Sequence, residues 1–292
     1  MKDTITIKAC AKINLTLDVT RKRSDGYHEI KSIMQSVDLK DSIYLEKGGR
    51  DIELFCSYYG IPEDPKNYAF IAAQKLKERV GSREGLIIKI DKKIPVAAGL
   101  GGGSADAAAV LVGLNILFGQ PLKEKELIEL AAKIGSDVPF FITGGTVLAA
   151  GRGEKIKKLP NLPSCAILII KPSLEISTAW AYEHYDLDKF KSGRYTEDAI
   201  GIIRRRKLKN IAAALGNDLE QPIFKKHPTL RQLKEFLREQ KEVLGTVMSG
   251  SGSAFLAILQ NKKAAQKITK KLKKEGFTVS LTFPTKKALE IM

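Results

Sequence analysis

The sequence predicts an α+β protein of two domains, and three observations support this. The chain has 292 residues, more than the roughly 100 to 200 that most single domains contain. Apolar residues alternate with a period of two near the N-terminus and follow helical spacing farther along. Pro160 and Pro163 then interrupt the pattern before an apolar segment. We therefore expect one domain at residues 1–160 and a second at residues 161–292.

The first strands are predicted between Thr4 and Cys56. Within this segment several stretches have an apolar residue at every second position, as in strands that bury one face. We expect these strands to be antiparallel. The alternating residues are Ile5, Ile7, Ala11, Ile13, Leu15, Leu17, Val19, Ile43, Leu45, Ile52 and Leu54.

Helices and one further strand complete the first half. A helix is predicted over Asn67–Val80, closed by Gly81, and a strand over Leu86–Ile90. A glycine-rich segment follows, and then a helix from about Ser104 to Phe118. An amphipathic helix with Leu127, Ile128, Ala131 and Ile134 on one face is expected to end at Gly135.

The second half reads as strands and helices in alternation. A strand is predicted at Cys165–Ile170, and a helix around Leu230, Leu233 and Leu237. Their order suggests a split βαβ sandwich. The remaining predictions are strands at Gly245–Met248 and Ala254–Leu259, a lysine-rich helix at Lys262–Lys274 and a final strand at Phe277–Leu281.

Composition narrows the possible partners. With 49 Lys and Arg against 33 Asp and Glu, the formal net charge is +16, which favours anionic partners. Cys10, Cys56 and Cys165 are far apart, so neither a disulfide framework nor a zinc site is indicated. The N-terminus lacks the apolar stretch of a signal peptide, and we expect a cytoplasmic location.

The glycine-rich segment is the strongest functional signal. Gly99 and Gly101–Gly103 lie between a predicted strand and a predicted helix. In this context backbone N–H groups can surround a phosphate at the positive end of the helix. No lysine follows the last glycine, and Ser104 stands where a dinucleotide-binding loop needs its third glycine. A phosphate site of another type is therefore predicted.

Lys12 and Asn14 lie on the polar side of an alternating segment. The residues between and around them are apolar, so both side chains should project from the face opposite the core. From the residues alone, a solvated strand face is slightly favoured over a functional site.

Asp137 follows a predicted helix and precedes a short apolar run. One interpretation is an N-cap, whose side chain accepts a backbone hydrogen bond. The other is a base or orienting group, which a helix N-terminus would also favour in its ionised form. Spacing does not separate the two.

Several motifs together resemble the GHMP kinases. The glycine segment and a second one, Ser249–Ala254, carry the resemblance to the family as a whole. Further motifs match one branch of it, in the family's order along nearly the whole chain. These are Ala11–Leu15, Asp25–Glu29, Gly135–Pro139 and Asn217–Glu220.

The resemblance implies a fold and a reaction. The N-terminal domain would resemble domain 2 of ribosomal protein S5, the C-terminal domain would be ferredoxin-like, and the active site would lie between them. ATP would phosphorylate the 2-hydroxyl of a cytidine diphosphate ester of a methylated sugar alcohol, in the non-mevalonate route to isoprenoid precursors. The expected partners are thus small molecules, without nucleic acid or membrane.

The resemblance also assigns residues. Lys12 and Asp137 become the catalytic pair, and Asn14, Tyr27, His28, Thr178 and Tyr182 become substrate-binding, with Tyr27 and His28 gripping the cytosine. Mg²⁺ is expected with ATP, without assigned protein ligands. The expected ATP-binding residues are Pro95, Val96, Ala97, Ala98, Gly99, Leu100, Gly101, Gly102, Gly103, Ser104 and Ala105.

Two alternatives remain. Within the same class, the chain could phosphorylate another small alcohol. In a different class, the basic runs Arg204–Lys207 and Lys270–Lys274 could contact RNA phosphates. Because these runs lack interleaved aromatic residues, a solvated helical face is the favoured interpretation.

Overall fold

A computed structural model describes residues 3–190 and 192–292 of the chain. Its strands form one large and one small sheet. The strands are β1 (Thr4–Lys22), β2 (His28–Lys47), β3 (Ile52–Cys56), β4 (Leu86–Asp91), β5 (Thr146–Gly151), β6 (Lys155–Lys158), β7 (Ala166–Lys171), β8 (Gly216–Asn217), β9 (Val243–Met248), β10 (Phe255–Leu259), β11 (Thr278–Thr282) and β12 (Leu289–Ile291).

Ten helices connect these strands along the described residues. None of them combines the length and the apolarity that crossing a membrane requires. The helices are α1 (Tyr68–Val80), α2 (Gly102–Leu117), α3 (Glu124–Ala132), α4 (Val138–Thr143), α5 (Thr178–Glu183), α6 (Tyr195–Arg204), α7 (Leu208–Ala213), α8 (Glu220–Lys226), α9 (Pro228–Glu239) and α10 (Lys262–Lys274).

The larger sheet runs in the order β12, β1, β2, β4, β3, with β5 also paired to β2, β6 to β5 and β8 to β1. Strands β1 and β2 are antiparallel, as predicted, and β8 is parallel to β1. Strand β3, which was also expected to be antiparallel, is parallel to β4. The antiparallel expectation was wrong there because α1 forms the connection between the two strands, and a helical crossover returns the chain in the same direction.

Helix α2 packs closely against the larger sheet. A Cβ added at Gly113 would lie 2.4 Å from Leu45 Cδ1 and 3.0 Å from Ile7 Cδ1, so only glycine permits this approach. Alanine residues occupy the preceding turns and are buried. The small residues therefore bring the whole helix, including its glycine-rich N-terminus, close to β1.

Strand β1 is buried on both faces along its middle section. Its odd-numbered apolar residues lie in the core, as expected. The even-numbered residues Lys12, Asn14, Thr16 and Asp18 are buried as well. The solvated strand face favoured from the residues alone was wrong, because chain segments far away in sequence cover this side of the strand.

The smaller sheet runs in the order β11, β7, β10, β9 and is antiparallel throughout. With helices α9 and α10 it confirms the split βαβ arrangement. Leu230, Leu233 and Leu237 are buried, as predicted. The strand at Phe277–Leu281 is not the last one, however, because β12 follows and pairs with β1 of the larger sheet. Strand β8 joins β1 in the same way. The division at residue 160 stays a prediction.

Candidate active site

The glycine-rich loop connects β4 to α2, and its glycines have conformations that other residues rarely adopt. Gly99 has φ +73° and Gly101 has φ +71°. Helix α2 begins at Gly102, two residues before the predicted start, because Gly101 takes the N-cap position. The first intrahelical hydrogen bond runs from Ala105 N–H to Gly101 O at 2.9 Å. The N–H groups of residues 101–104 therefore have no acceptor within the helix, which is the arrangement that binds phosphate.

A second glycine-containing loop, residues 249–254, lies against the first. Ser249 Oγ donates to Gly99 O at 3.0 Å and accepts a hydrogen bond from Asn14 N–H at 3.2 Å. The approach is so close that a Cβ on Gly99 would lie 2.1 Å from Ser249 O. Two loops about 150 residues apart in sequence are thus locked together.

The motif Asn217–Glu220 supports this second loop. Asn217 Nδ2 donates to Met248 O at 2.8 Å and to Gly250 O at 2.7 Å. Glu220 Oε1 accepts a hydrogen bond from Met248 N–H at 2.9 Å. The motif recognised from the sequence therefore positions the backbone of the second loop, and it acts on the site through residues 249–254.

Lys12 and Asp137 meet beside the two loops. Lys12 Nζ is 3.4 Å from Asp137 Oδ2 and donates to Asn14 Oδ1 at 2.6 Å. The Lys12 side chain is 5% exposed, and the Asp137 side chain is 30% exposed. The Lys12 backbone N–H donates to Leu100 O at 3.0 Å, which ties the strand to the glycine-rich loop.

Asp137 stands at the N-cap of α4, but its side chain makes no capping hydrogen bond. The N-cap interpretation of its carboxylate is therefore wrong in this structure, although the position along the helix was predicted. The carboxylate faces Lys12 and the cavity instead. An acceptor that no backbone donor occupies is free to contact a hydroxyl group.

A buried ion cluster lies behind the glycine-rich loop. Lys92 Nζ donates to Asp106 Oδ2 at 2.7 Å and also to Asp41. Asp41 Oδ1 accepts from Ile94 N–H at 2.8 Å. Because Lys92 precedes the loop and Asp106 follows it, the ion pair closes the loop at its base. Sequence reasoning missed this cluster, although a lone carboxylate in an alanine-rich helix was a signal.

One carboxyl group of this cluster is only partly hydrogen-bonded. Asp106 Oδ1 is buried and has no hydrogen-bond partner within the described residues. Burial raises the pKa of Asp106 to about 7, although the Lys92 ammonium opposes the rise. Two carboxylates share a single lysine here, so a proton or another cation is needed to balance the charge.

Aromatic side chains form another wall of the site, called the aromatic wall below. Tyr27 is 55% exposed, and the Arg152 guanidinium lies 4.8 Å from its ring centroid. The His28 ring stacks on the Tyr182 ring at 5.6 Å. Burial lowers the pKa of His28, and burial together with the nearby Asp137 charge raises that of Tyr182. Thr178 Oγ1 lies 2.8 Å from Ser251 Oγ.

One cavity of about 1600 Å³ is lined by the glycine-rich loop, the Lys12–Asp137 pair and the aromatic side chains. It exceeds the roughly 300 to 1,000 Å³ of a typical single-ligand pocket. Of the residues predicted for the site, Ala105 alone does not line it, since its side chain is buried in the core. The sequence-predicted residues that line it are Lys12, Asn14, Tyr27, His28, Pro95, Val96, Ala97, Ala98, Gly99, Leu100, Gly101, Gly102, Gly103, Ser104, Asp137, Thr178 and Tyr182.

The cavity also contains residues that sequence reasoning did not assign. Lys92, Asp106 and Arg152 all line it. Asn67 lines it too, but its side chain caps α1 by accepting a hydrogen bond from Ala69 N–H at 2.9 Å. Nothing in the sequence distinguished Arg152 from the other basic residues, because a single arginine in a turn is common in a chain with 49 Lys and Arg.

Comparison with known families and proteins agrees with this geometry. The GHMP kinases N terminal domain matches residues 67–145, and the GHMP kinases C terminal domain matches residues 199–278. The chain is 50% identical over 268 residues to a 4-diphosphocytidyl-2-C-methyl-D-erythritol kinase of Caldicellulosiruptor saccharolyticus, covering 91% of this chain and 92% of that protein. The corresponding kinase of Acetivibrio thermocellus is 44% identical over 264 residues, covering 90% and 93%.

Solved structures give the same result. A crystal structure of a 4-(cytidine 5'-diphospho)-2C-methyl-D-erythritol kinase superposes with a TM-score of 0.81 at 32% identity, covering 96% of this chain and 98% of that one. Homoserine kinase from Cytophaga hutchinsonii shares the fold, with a TM-score of 0.77 at 23% identity over 100% and 98% of the two chains. Taken with the loops and the Lys12–Asp137 pair, these matches lead to one conclusion: the chain belongs to the GHMP kinase family.

Proposed function

We propose that this chain transfers the terminal phosphoryl group of ATP to the 2-hydroxyl of 4-diphosphocytidyl-2-C-methyl-D-erythritol, in the non-mevalonate route to isoprenoid precursors. The observation that carries the proposal is the 3.4 Å contact between Lys12 Nζ and Asp137 Oδ2, beside the glycine-rich loop and inside one cavity with Tyr27. The relatives with this name span about nine-tenths of the chain.

The acceptor hydroxyl would be activated by Asp137. Its carboxylate, which makes no helix-capping hydrogen bond, accepts the proton that leaves the hydroxyl as the new O–P bond forms. Lys12 holds this carboxylate in place and supplies positive charge beside the transferred group. Asn14 Oδ1 in turn fixes the ammonium, since it accepts a hydrogen bond from Lys12 Nζ at 2.6 Å. Phosphoryl transfer needs mainly such positioning and charge neutralisation.

The phosphates of ATP would lie at the N-terminus of α2. The free N–H groups of residues 101–104 point along the helix axis at its positive end, where the peptide dipoles add. Gly99 and Gly101 keep the loop backbone close to Lys12, because a Cβ on Gly101 would lie 3.0 Å from Lys12 Cγ. The reacting phosphoryl group and the catalytic pair are therefore held within one small volume.

Mg²⁺ fits the oxygen donors on the first turns of α2. Ser104 and Asp106 both line the cavity, and Asp106 Oδ1 lacks a partner. Mg²⁺ is commonly held by one or two protein oxygens together with substrate phosphates and water. No group of three or more acidic, histidine or cysteine side chains is arranged for a metal within residues 3–190 and 192–292. When bound, Mg²⁺ would neutralise phosphate charge.

The cytosine would be recognised at the aromatic wall. Tyr27 offers an exposed ring face, and stacking on such a face is typical of base recognition. His28 and Tyr182 stack on each other and both line the cavity, so His28 would contact the edge of the base and Tyr182 would offer a second ring. Thr178 on α5 reaches the same cavity.

A substrate panel tests the proposal. Purified chain is incubated with ATP and, separately, 4-diphosphocytidyl-2-C-methyl-D-erythritol, homoserine, mevalonate or galactose, and ADP release is measured. We expect turnover of the cytidyl substrate alone. Preferential turnover of another alcohol would replace the proposed substrate, and salt-dependent retention on RNA without kinase activity would overturn the enzyme assignment.

The structure of α10 bears on the RNA alternative. The lysine side chains of α10 are exposed while Ile268 and Leu272 are buried, which favours a solvated helical face over an RNA-binding surface.

A further inference from the structure

The turn between β5 and β6 carries a cation into the cavity. Gly151 and Gly153 flank Arg152 and have φ values of +74° and +116°, which reverse the chain sharply on both sides of the arginine. The Arg152 backbone N–H donates to Glu154 Oε2 at 2.6 Å. The turn is therefore held through its backbone, and the half-buried arginine side chain extends from it into the cavity.

The Arg152 guanidinium forms no ion pair with a carboxylate within the part of the chain that the structure describes. Its charge nevertheless reaches Asp25, whose pKa is lowered by the hydrogen bond from Arg23 and also by Arg152. The Tyr27 ring centroid lies 4.8 Å from the Arg152 Cζ atom. Arg23, in the same region, differs in this respect, because its guanidinium contacts Asp25 at 2.9 Å and Glu29 at 3.0 Å. A guanidinium offers five N–H donors, and those of Arg152 are free to bind a ligand.

The other side of the same turn faces the catalytic carboxylate. A Cβ placed on Gly153 would be 3.5 Å from Asp137 Oδ1. One short turn thus contacts Tyr27 through the guanidinium of Arg152 and approaches Asp137 through its backbone. Arg152 therefore lies between Tyr27, where the cytosine is expected, and Asp137, where the reacting hydroxyl is expected.

We propose that Arg152 binds the diphosphate group of the cytidyl substrate. This rests on the proposed function, in which Tyr27 stacks on the base and Asp137 accepts the proton of the alcohol. The diphosphate joins these two ends of the substrate, so it must pass the turn that joins the two sites. The planar fork of arginine matches pairs of phosphate oxygens, and stacking on Tyr27 holds that fork in one orientation.

This role makes Arg152 a specificity-determining residue. An alcohol without a diphosphate leaves the half-buried guanidinium unpaired, and sites that lose a polar partner in this way discriminate strongly. The same contact lets the substrate cover the exposed face of Tyr27, since base and diphosphate are bound by adjacent side chains.

Equilibrium binding of two nucleotide fragments tests the inference without turnover. CDP and cytidine are titrated calorimetrically into the wild-type chain, Arg152→Gln, Arg152→Lys and Arg231→Gln. Arg231 is exposed on α9 and does not line the cavity, so it controls for the loss of one positive charge. Thermal unfolding of each variant checks that the fold is retained.

We expect Arg152→Gln to weaken CDP binding about ten- to a hundredfold, the range of a charge-assisted hydrogen bond, while cytidine binding stays unchanged. Arg152→Lys keeps the charge but loses the fork, and we expect an intermediate loss. Arg231→Gln should match wild type with both ligands.

Two results would overturn the inference alone. CDP affinity unaltered in Arg152→Gln would show that the guanidinium does not reach the diphosphate. Equal weakening of CDP and cytidine would show that Arg152 only orients Tyr27. A wild-type chain that binds no CDP would overturn the proposed function together with this inference, which distinguishes the two failures.

Discussion

The two sides of the cleft are held in place by different means. On the glycine-loop side the backbone itself is fixed: Gly99 packs against Ser249 O so closely that no Cβ fits, and a buried ion pair closes the loop. On the aromatic side, hydrogen bonds to Arg23 and Asp25 hold the Tyr27 backbone, but the residue is 55% exposed and its ring contacts the Arg152 guanidinium. Under the proposed function, the phosphate side is thus preformed, whereas the cytosine side would be completed by its ligand.

This difference predicts how substitutions act. A substitution on the glycine-loop side alters the backbone and should therefore lower both the stability of the fold and the affinity for ATP. A change on the aromatic side removes one ligand contact and should alter affinity for the cytidyl substrate alone. Asp137 lies where the two sides meet, so its replacement should affect the chemistry without changing either binding step.

The largest expected effect is that of Asp137→Asn. Removing the proton acceptor should lower kcat about a hundred- to ten-thousandfold, the usual contribution of a general base, while ATP still binds. Steady-state kinetics and titration with an ATP analogue measure the two quantities. Asp91→Asn is a suitable control because Asp91 is exposed and outside the cavity. Near-normal turnover of Asp137→Asn would disprove the base assignment.

Gly99→Ala should have the next largest effect. Its φ of +73° strains any other residue by about 1 to 3 kcal/mol, and the new Cβ would overlap Ser249 O. We expect a lower melting temperature and at least about tenfold weaker binding of an ATP analogue. Gly201→Ala provides the control, since a Cβ there meets nothing within 4 Å. Wild-type stability and affinity in Gly99→Ala would contradict a preformed loop.

Tyr27→Ala should act on one substrate only. Stacking of a base on an aromatic ring contributes about 1 to 3 kcal/mol, so KM for the cytidyl substrate should rise about tenfold or more while KM for ATP is unchanged. Tyr27→Phe keeps the ring and should retain most of the affinity. If both KM values of Tyr27→Ala rose equally, Tyr27 would not be part of a separate base site.

The smallest effect is a change in the pH dependence of stability. Burial raises the pKa of Asp106 to about 7 from an ordinary value of 3.8. The folded chain therefore binds a proton that the unfolded chain has lost, and this contribution to stability is complete below about pH 4 and disappears as the pH rises through 7. Between pH 6 and pH 8 the loss is about 1 kcal/mol.

Asp106→Asn should remove this dependence. Urea unfolding at pH 6, 7 and 8 measures the free energy of unfolding, which should fall more steeply with pH in the wild type than in the variant. Asp188→Asn, at an exposed position, should behave as the wild type does. Parallel curves for wild type and Asp106→Asn would show that the buried carboxyl does not titrate in this range.

Local patterns in the sequence determined the elements and the phosphate loop. Apolar alternation located the strands, and Gly81 located the C-terminal end of α1, because caps and periodicity act within a few residues. The glycines before α2 indicated a phosphate site for the same reason, since their effect is on the local backbone.

Tertiary structure alone decided whether Lys12 was solvated or buried, whether Asp137 capped a helix, and where Arg152 pointed. Each outcome depends on segments far away in sequence: Ser249 covers the polar face of β1, and the β5–β6 turn approaches Asp137. Burial and charge pairing are set by what packs on a face from elsewhere, and period-two alternation carries no information about that second layer.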